Sequence, residues 1–206
     1  MILIMFVIVI MMRVSAPCTK IEQELFGITE IPSNISSSTE CLYVKQRQIT
    51  VIPRGTFSRL QNLKRLFITG NDMLENISAF AFARLPLLTE IYISDNGALR
   101  SIGDSAFSDL PELTGIQIIN SKHLIHIHPD AFKNIGKLRG LIISNTGLTI
   151  FPNFTKIHST AKGFVLYVST LKLTKNAHTL LFPHVIEKVG CCMHTELNMP
   201  RRNHTI

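Results

Sequence analysis

Tryptophan is missing altogether, and cysteine is scarce, at four in 206 residues. So few cysteines exclude a small scaffold held by a dense disulfide framework. Charged residues make up only 17% of the chain against 46% hydrophobic ones, a balance that excludes a disordered protein. The 11 glycines show no triplet period, which excludes collagen. Beyond the first dozen residues no apolar run reaches 18, so no membrane-spanning helix is expected there. Catalytic signatures are lacking too: there is no nucleophile elbow and no phosphate-binding glycine loop. An enzyme is therefore not expected.

What charge there is sits unevenly. The net charge is +7, yet residues 18–160 hold 14 Lys/Arg against 12 Asp/Glu, and residues 161–206 hold six against two. A nucleic-acid binder concentrates its cations on the folded body, with aromatics between them. Here the body is almost neutral, and no nucleic-acid partner is expected.

Residues 1–12, MILIMFVIVIMM, form an apolar run too short to span a bilayer, which takes about 20 residues. Arg13 and the small residues Val14-Ser15-Ala16 follow, which suits signal-peptidase cleavage after Ala16. Asn34, Asn76, Asn153 and Asn203 each open an Asn-X-Ser/Thr acceptor with no proline in the middle. A leader with four such acceptors predicts the secretory route.

The strongest feature is a repeat of 25 residues. Leu66, Ile91, Ile116 and Leu141 keep that step, as do Ile68, Ile93, Ile118 and Ile143. Phe57, Phe82, Phe107 and Phe132 keep it, and so do Leu60, Leu85, Leu110 and Ile135. Leu74, Leu99 and Leu124 form a fifth column, and Ile77, Ile102 and Ile127 a sixth. The first unit, around Leu42–Val44, and the last, around Leu141–Ile143, read as one residue shorter in the turn.

Apolar residues at i and i+2, as in Leu66-Phe67-Ile68, point to one face of a short strand. Phe82 and Leu85 are spaced to share one side of a short helical turn. Each unit has an apolar inside that it cannot bury alone, so stacking neighbours must create one core and one parallel sheet. Asn71 and Asn96 follow the strands at matching positions, where an Asn can satisfy backbone groups of the adjacent turn. Ser121 stands in that register with Asn120 beside it, and Asn145 is displaced by one, so this ladder is imperfect. The pattern predicts an α/β leucine-rich repeat solenoid, with a strand-lined concave face and an irregular, short-helical convex face.

Period-2 alternation puts the residues between the inward ones on the open face. Tyr43, Phe67, Tyr92, Ile119 and Ile142 lie in this row beside Lys45, Arg65, Glu90 and Gln117. Aromatics among charges fit a protein interface. His123, His126 and His128 have loose metal-ligand spacing, but no Cys or carboxylate cluster accompanies them. They read as turn histidines, and neither a metal nor a cofactor is expected.

The segments HLIHIHPDAFKNIGKLRGLIISNTGL (123–148) and LIISNTGLTIFPNFTKIHST (141–160) resemble the middle repeats of the glycoprotein hormone receptors. GITEIPSNI (27–35) resembles the end of that family's N-terminal cap. The resemblance covers about residues 27–168, and ISNTG with KIHS leans toward the follitropin branch, with lutropin second. It implies an extracellular region that clasps a heterodimeric glycoprotein hormone on the concave strands. It also implies a plasma-membrane receptor in which a seven-helix part activates a stimulatory G protein and raises cyclic AMP; no such part is expected in this sequence. Carried over strand by strand, hormone contact falls on Lys45, Arg65, Phe67, Glu90, Tyr92 and Gln117, with Tyr43, Ile119 and Ile142 in the same row.

The chain departs from the family at both ends. The family's cap holds several cysteines, whereas this region has Cys18 and Cys41 only; a bridge between them is one pairing that an oxidising compartment allows. Past Val168 the columns fail, although Phe182 keeps step with Phe132. The expected organisation is a signal peptide at 1–16, a cap at 17–41, repeats at 42–168 and a divergent tail at 169–206, which either caps the solenoid or replaces its next repeats. A tail that left the last apolar layer bare would cause retention in the secretory pathway rather than release. A secreted decoy for the hormone and a matrix leucine-rich repeat protein are the competing readings.

Overall fold

The structure, a computed structural model, describes residues 29–150 apart from Gln46 and Arg47, together with residues 21–24, Ile157 and residues 164–170. The leader, Cys18, Asn153, Asn203, Cys191, Cys192 and the tail beyond 170 lie outside the described residues.

Seven parallel strands form the main sheet: β1 (Ile21–Glu24), β2 (Cys41–Val44), β4 (Arg65–Thr69), β6 (Glu90–Ser94), β9 (Gly115–Ile119), β12 (Gly140–Thr146) and β13 (Val165–Thr170). They lie side by side in chain order, as a stack of successive coils requires. The pairing follows the sequence columns: Leu66 faces Ile91, Ile91 faces Ile116, Ile116 faces Leu141, and Leu141 faces Leu166. Leu42 faces Leu66, a step of 24, so the first unit is indeed one residue short. The last unit is short in the same turn, with buried Leu148 following Leu141 by 7 residues where Leu124 follows Ile116 by 8, yet its step to β13 is the full 25, with a register shift between Ser144 and Thr146 inside β12.

All six sequence columns are buried, and a seventh, Leu63, Leu88, Leu113 and Leu138, is buried with them. Burying a Leu, Ile or Phe side chain contributes about 1.5–3 kcal/mol, so each coil depends on the neighbour that covers it. Four phenylalanines stack through the interior, with centroids 5.8 Å apart for Phe57–Phe82, 5.2 Å for Phe82–Phe107 and 5.1 Å for Phe107–Phe132. The small residues Ala81, Ala106 and Ala131, also buried, let successive turns approach closely beside these rings.

The short helical turn expected around Phe82 and Leu85 is not found, and none of the described residues is helical. Phe80, Arg84, Ser105, Asp109 and Asn134 have φ between 48° and 63°. A right-handed helix cannot pass through such left-handed residues. The amides turn instead to the next coil: Phe80 N–H donates to Asp104 O, Phe82 N–H to Ala106 O and Arg84 N–H to Ser108 O. Coil-to-coil bonding continues in two further parallel sheets, formed by β3 (Val51–Ile52), β5 (Asn76–Ile77), β7 (Ser101–Ile102) and β10 (His126–Ile127), and by β8 (Phe107–Ser108) with β11 (Phe132–Lys133).

Two polar ladders tie the turns. The inner one is fully buried: Asn96 Oδ1 accepts from Asn71 N–H at 3.0 Å and from Asn71 Nδ2 at 2.9 Å. The two amides donate in turn to Val44 O at 3.1 Å and Ile68 O at 2.9 Å. The displaced asparagines make an outer ladder at the surface, with Asn145 Nδ2 donating to Asn120 Oδ1 and Asn120 Nδ2 to Asp95 Oδ1, both at 2.9 Å.

These environments separate two substitutions of one residue type. Asn96→Ala orphans buried donors and an acceptor and is expected to lower stability by about 2–3 kcal/mol in urea unfolding. Asn145→Ala opens its groups to water and is expected to stay within about 0.5 kcal/mol. Glycines give a second test. A Cβ on Gly103 would sit 2.6 Å from Ala79 N, whereas Gly97 has nothing within 4 Å. Gly103→Ala is expected to cost about 2 kcal/mol and Gly97→Ala nothing, read from thermal midpoints.

Candidate binding face

Strand pleat sets the candidate site. With Leu66 and Ile68 turned inward, Arg65, Phe67 and Thr69 face the other way, and the same alternation holds on β6 and β9. Cross-strand register then aligns Tyr43 with Phe67, Phe67 with Tyr92 and Tyr92 with Gln117.

Three of these residues form a continuous aromatic stack. Tyr43 and Phe67 have ring centroids 4.3 Å apart and an interplanar angle of 3°, and Phe67 and Tyr92 follow at 4.7 Å and 4°. The spacing is that of neighbouring strands, about 4.7–4.9 Å, so the sheet itself sets the pitch of the stack. Tyr92 OH donates to Glu90 Oε2 at 3.2 Å, which anchors the last ring. Arg65 stands opposite Glu90 in the ladder, both half-buried, and Lys45 is exposed beyond Val44. An apolar ribbon thus runs across three coils with charge along its borders.

Toward the C-terminal coils the row changes character. Gly115 and Gly140 are paired and leave the face without side chains there. Gln117 and Ile119 remain half-buried and within reach of a partner. Ile142 does not: it is 5% exposed, paired between Gln117 and Tyr167. Its place as a contact residue is therefore corrected. Alternation assigned its face correctly, but between two paired strands this branched residue is left with little exposure.

The other sequence-picked residues lie off this face. Asn34 is exposed on the N-terminal turns. Asn76 is in β5, half-buried, and its Oδ1 accepts from Ser101 Oγ at 2.7 Å. Cys41 is disulfide-bonded to a cysteine outside the described residues. The three histidines do not converge: His123 Nδ1 is 2.6 Å from Gly97 O, whereas His126 and His128 meet edge to face with centroids 6.4 Å apart. Alternation had singled out the stacked rings one by one; their common partner was legible only from the 24- and 25-residue steps that bring 43, 67 and 92 together.

Comparison with known proteins agrees with this architecture. The family model for the BspA type leucine rich repeat region matches residues 19–161 in six copies. No curated protein gives a sequence match. Among solved structures, human 5T4 (Wnt-activated inhibitory factor 1, trophoblast glycoprotein) is similar at 15% identity and a TM-score of 0.35, over 69% of this chain and 74% of that one. Repeat step, parallel coils and family match coincide over the same residues, and the chain belongs to the BspA-type leucine-rich repeat family.

Proposed function

We propose that the chain is a hormone-binding leucine-rich repeat region of the glycoprotein hormone receptor type. It takes a heterodimeric glycoprotein hormone, follitropin first and lutropin second, on its concave sheet. The observation that carries this reading is the stacked row Tyr43–Phe67–Tyr92 bordered by Lys45, Arg65 and Glu90. Rigid aromatic area ringed by charge is the composition of a protein-binding hot spot. The sequence resemblance at residues 123–160 chooses the class of partner. In this reading the face recognises and holds, and no described residue is asked to do chemistry.

Recognition then divides between two kinds of residue. Arg65 and Lys45 attract an acidic surface and speed encounter, while Phe67, held between two rings, supplies the desolvated contact that slows release. Gln117 and Ile119 extend the contact along the next coil. Discrimination between related hormones follows from side chains at these outward positions, because specificity is a difference of affinities. Passage through the secretory pathway belongs to the same reading, which the disulfide at Cys41 and the exposed acceptor Asn34 support. G protein activation would fall to a seven-helix part; among the described residues no helix is long and apolar enough to cross a membrane.

Surface plasmon resonance against follitropin, lutropin and fibrillar collagen tests the proposal. Saturable binding to one of the hormones is expected; a folded sample that takes collagen and neither hormone would replace this reading with a matrix role. Arg65→Glu is expected to slow hormone association about tenfold at low salt, with the difference shrinking at high salt. Phe67→Ala is expected to act on dissociation instead, speeding it by about tenfold or more.

A further inference from the structure

Away from the aromatic row, two adjacent coils bring together residues that the chain keeps 24 to 26 positions apart. Asp104 lies in the turn after β7, and His128 and Asp130 lie in the turn after β10. β7 and β10 are parallel neighbours with His126 opposite Ser101 and Ile127 opposite Ile102. His128 therefore comes opposite Gly103, beside the Asp104 carboxylate. One ligand atom from each of Asp104, His128 and Asp130 lies within 4.8 Å of the other two, and all three residues are half-buried. His128 Nδ1 is 3.6 Å from Asp104 Oδ1.

The arrangement has an electrostatic requirement. His128 Nδ1 accepts the Asp130 backbone N–H at 3.1 Å, so in the neutral ring the proton is on Nε2 and the Nδ1 lone pair is engaged by that amide. The two carboxylates lie within 4.8 Å of each other and repel, and a cation between them offsets that repulsion. Asp104 Oδ1 is itself held in place, accepting from Ser105 Oγ at 2.9 Å, the kind of outer support that orients metal ligands. Ligand atoms on a tetrahedral zinc ion stand about 3.3 Å apart, given bonds of about 2.0 Å. The observed 3.6 Å needs little closure to reach that.

We propose that Asp104, His128 and Asp130 form a binding site for a divalent transition-metal ion, zinc being the fitting one. One imidazole and two carboxylates suit zinc better than calcium, which takes six to eight oxygens. The ion takes the Nδ1 lone pair in place of the Asp130 amide, whose N–H is released to water, together with one oxygen from each carboxylate, and keeps a fourth position for water. It clips the third and fourth full coils together on the flank, separate from the aromatic row. The sequence hid this site because its carboxylate partner for His128 sits one coil earlier.

The test is calorimetric titration of zinc into the chelator-treated full chain, with calcium as the comparison. Saturable zinc binding is expected, at least tenfold weaker in Asp104→Asn and in His128→Gln and unchanged in His123→Gln. Zinc is expected to raise the thermal midpoint of the wild type but of neither site variant. Cobalt in place of zinc is expected to give visible bands without the thiolate charge-transfer absorption that a cysteine site would add. The two near-isosteric variants lie on different coils, so if one fails to fold the other decides. No saturable zinc binding by the wild type, wild-type affinity in a folded site variant, or a thiolate band would overturn the proposal.

Discussion

Every coil has an apolar inside that only its neighbours can close. Leu66 and Ile68 lie against the equivalent residues one repeat away, and the same holds for Phe82 between Phe57 and Phe107. This mutual covering fixes the strand register, because a coil one residue out of register would turn its strand residues over. It also forces the strands to be parallel, since each is reached only after a full circuit. The outward row follows from the same constraint: once alternate residues are committed inward, the others have nowhere else to go.

Most of the fold was legible in the sequence for that reason. Columns at a fixed step are a direct image of inward positions, and Asn71 and Asn96 were readable as satisfiers of buried backbone. The convex side was less legible. Phe82 and Leu85 are spaced as in a helix, but the backbone around them runs through left-handed residues such as Phe80 and Arg84, which no side-chain pattern announces. There the amides bond between coils, and the spacing of three reflects two inward visits of an irregular turn. The last repeat was legible in its turn, where buried Leu148 follows Leu141 by 7 residues although Leu124 follows Ile116 by 8, but not in its step to β13, which is still 25.

The candidate site was legible as a row but not as an object. Alternation identified Tyr43, Phe67 and Tyr92 as outward, yet their near-parallel stacking depends on the cross-strand pairing, a property of three coils together. Ile142 shows the converse: outward by alternation, it is covered by what stands beside it. Single-repeat reasoning finds directions, whereas accessibility and clustering are settled between repeats. Asp104 and His128 belong to the same class of relation, invisible until neighbouring coils are placed side by side.

The outer ladder from Asn145 through Asn120 to Asp95 runs one way, every amide giving its hydrogen toward the start of the chain. Its amide dipoles are aligned and end on a carboxylate, which strengthens the series as a whole. The preceding member of that column is Gly70, which shares the left-handed backbone but has no side chain to continue the line. The left-handed geometry is thus older in the coil order than the filament of dipoles built on it, and any duplicated repeat would lengthen that filament only if it carried an amide at this one position.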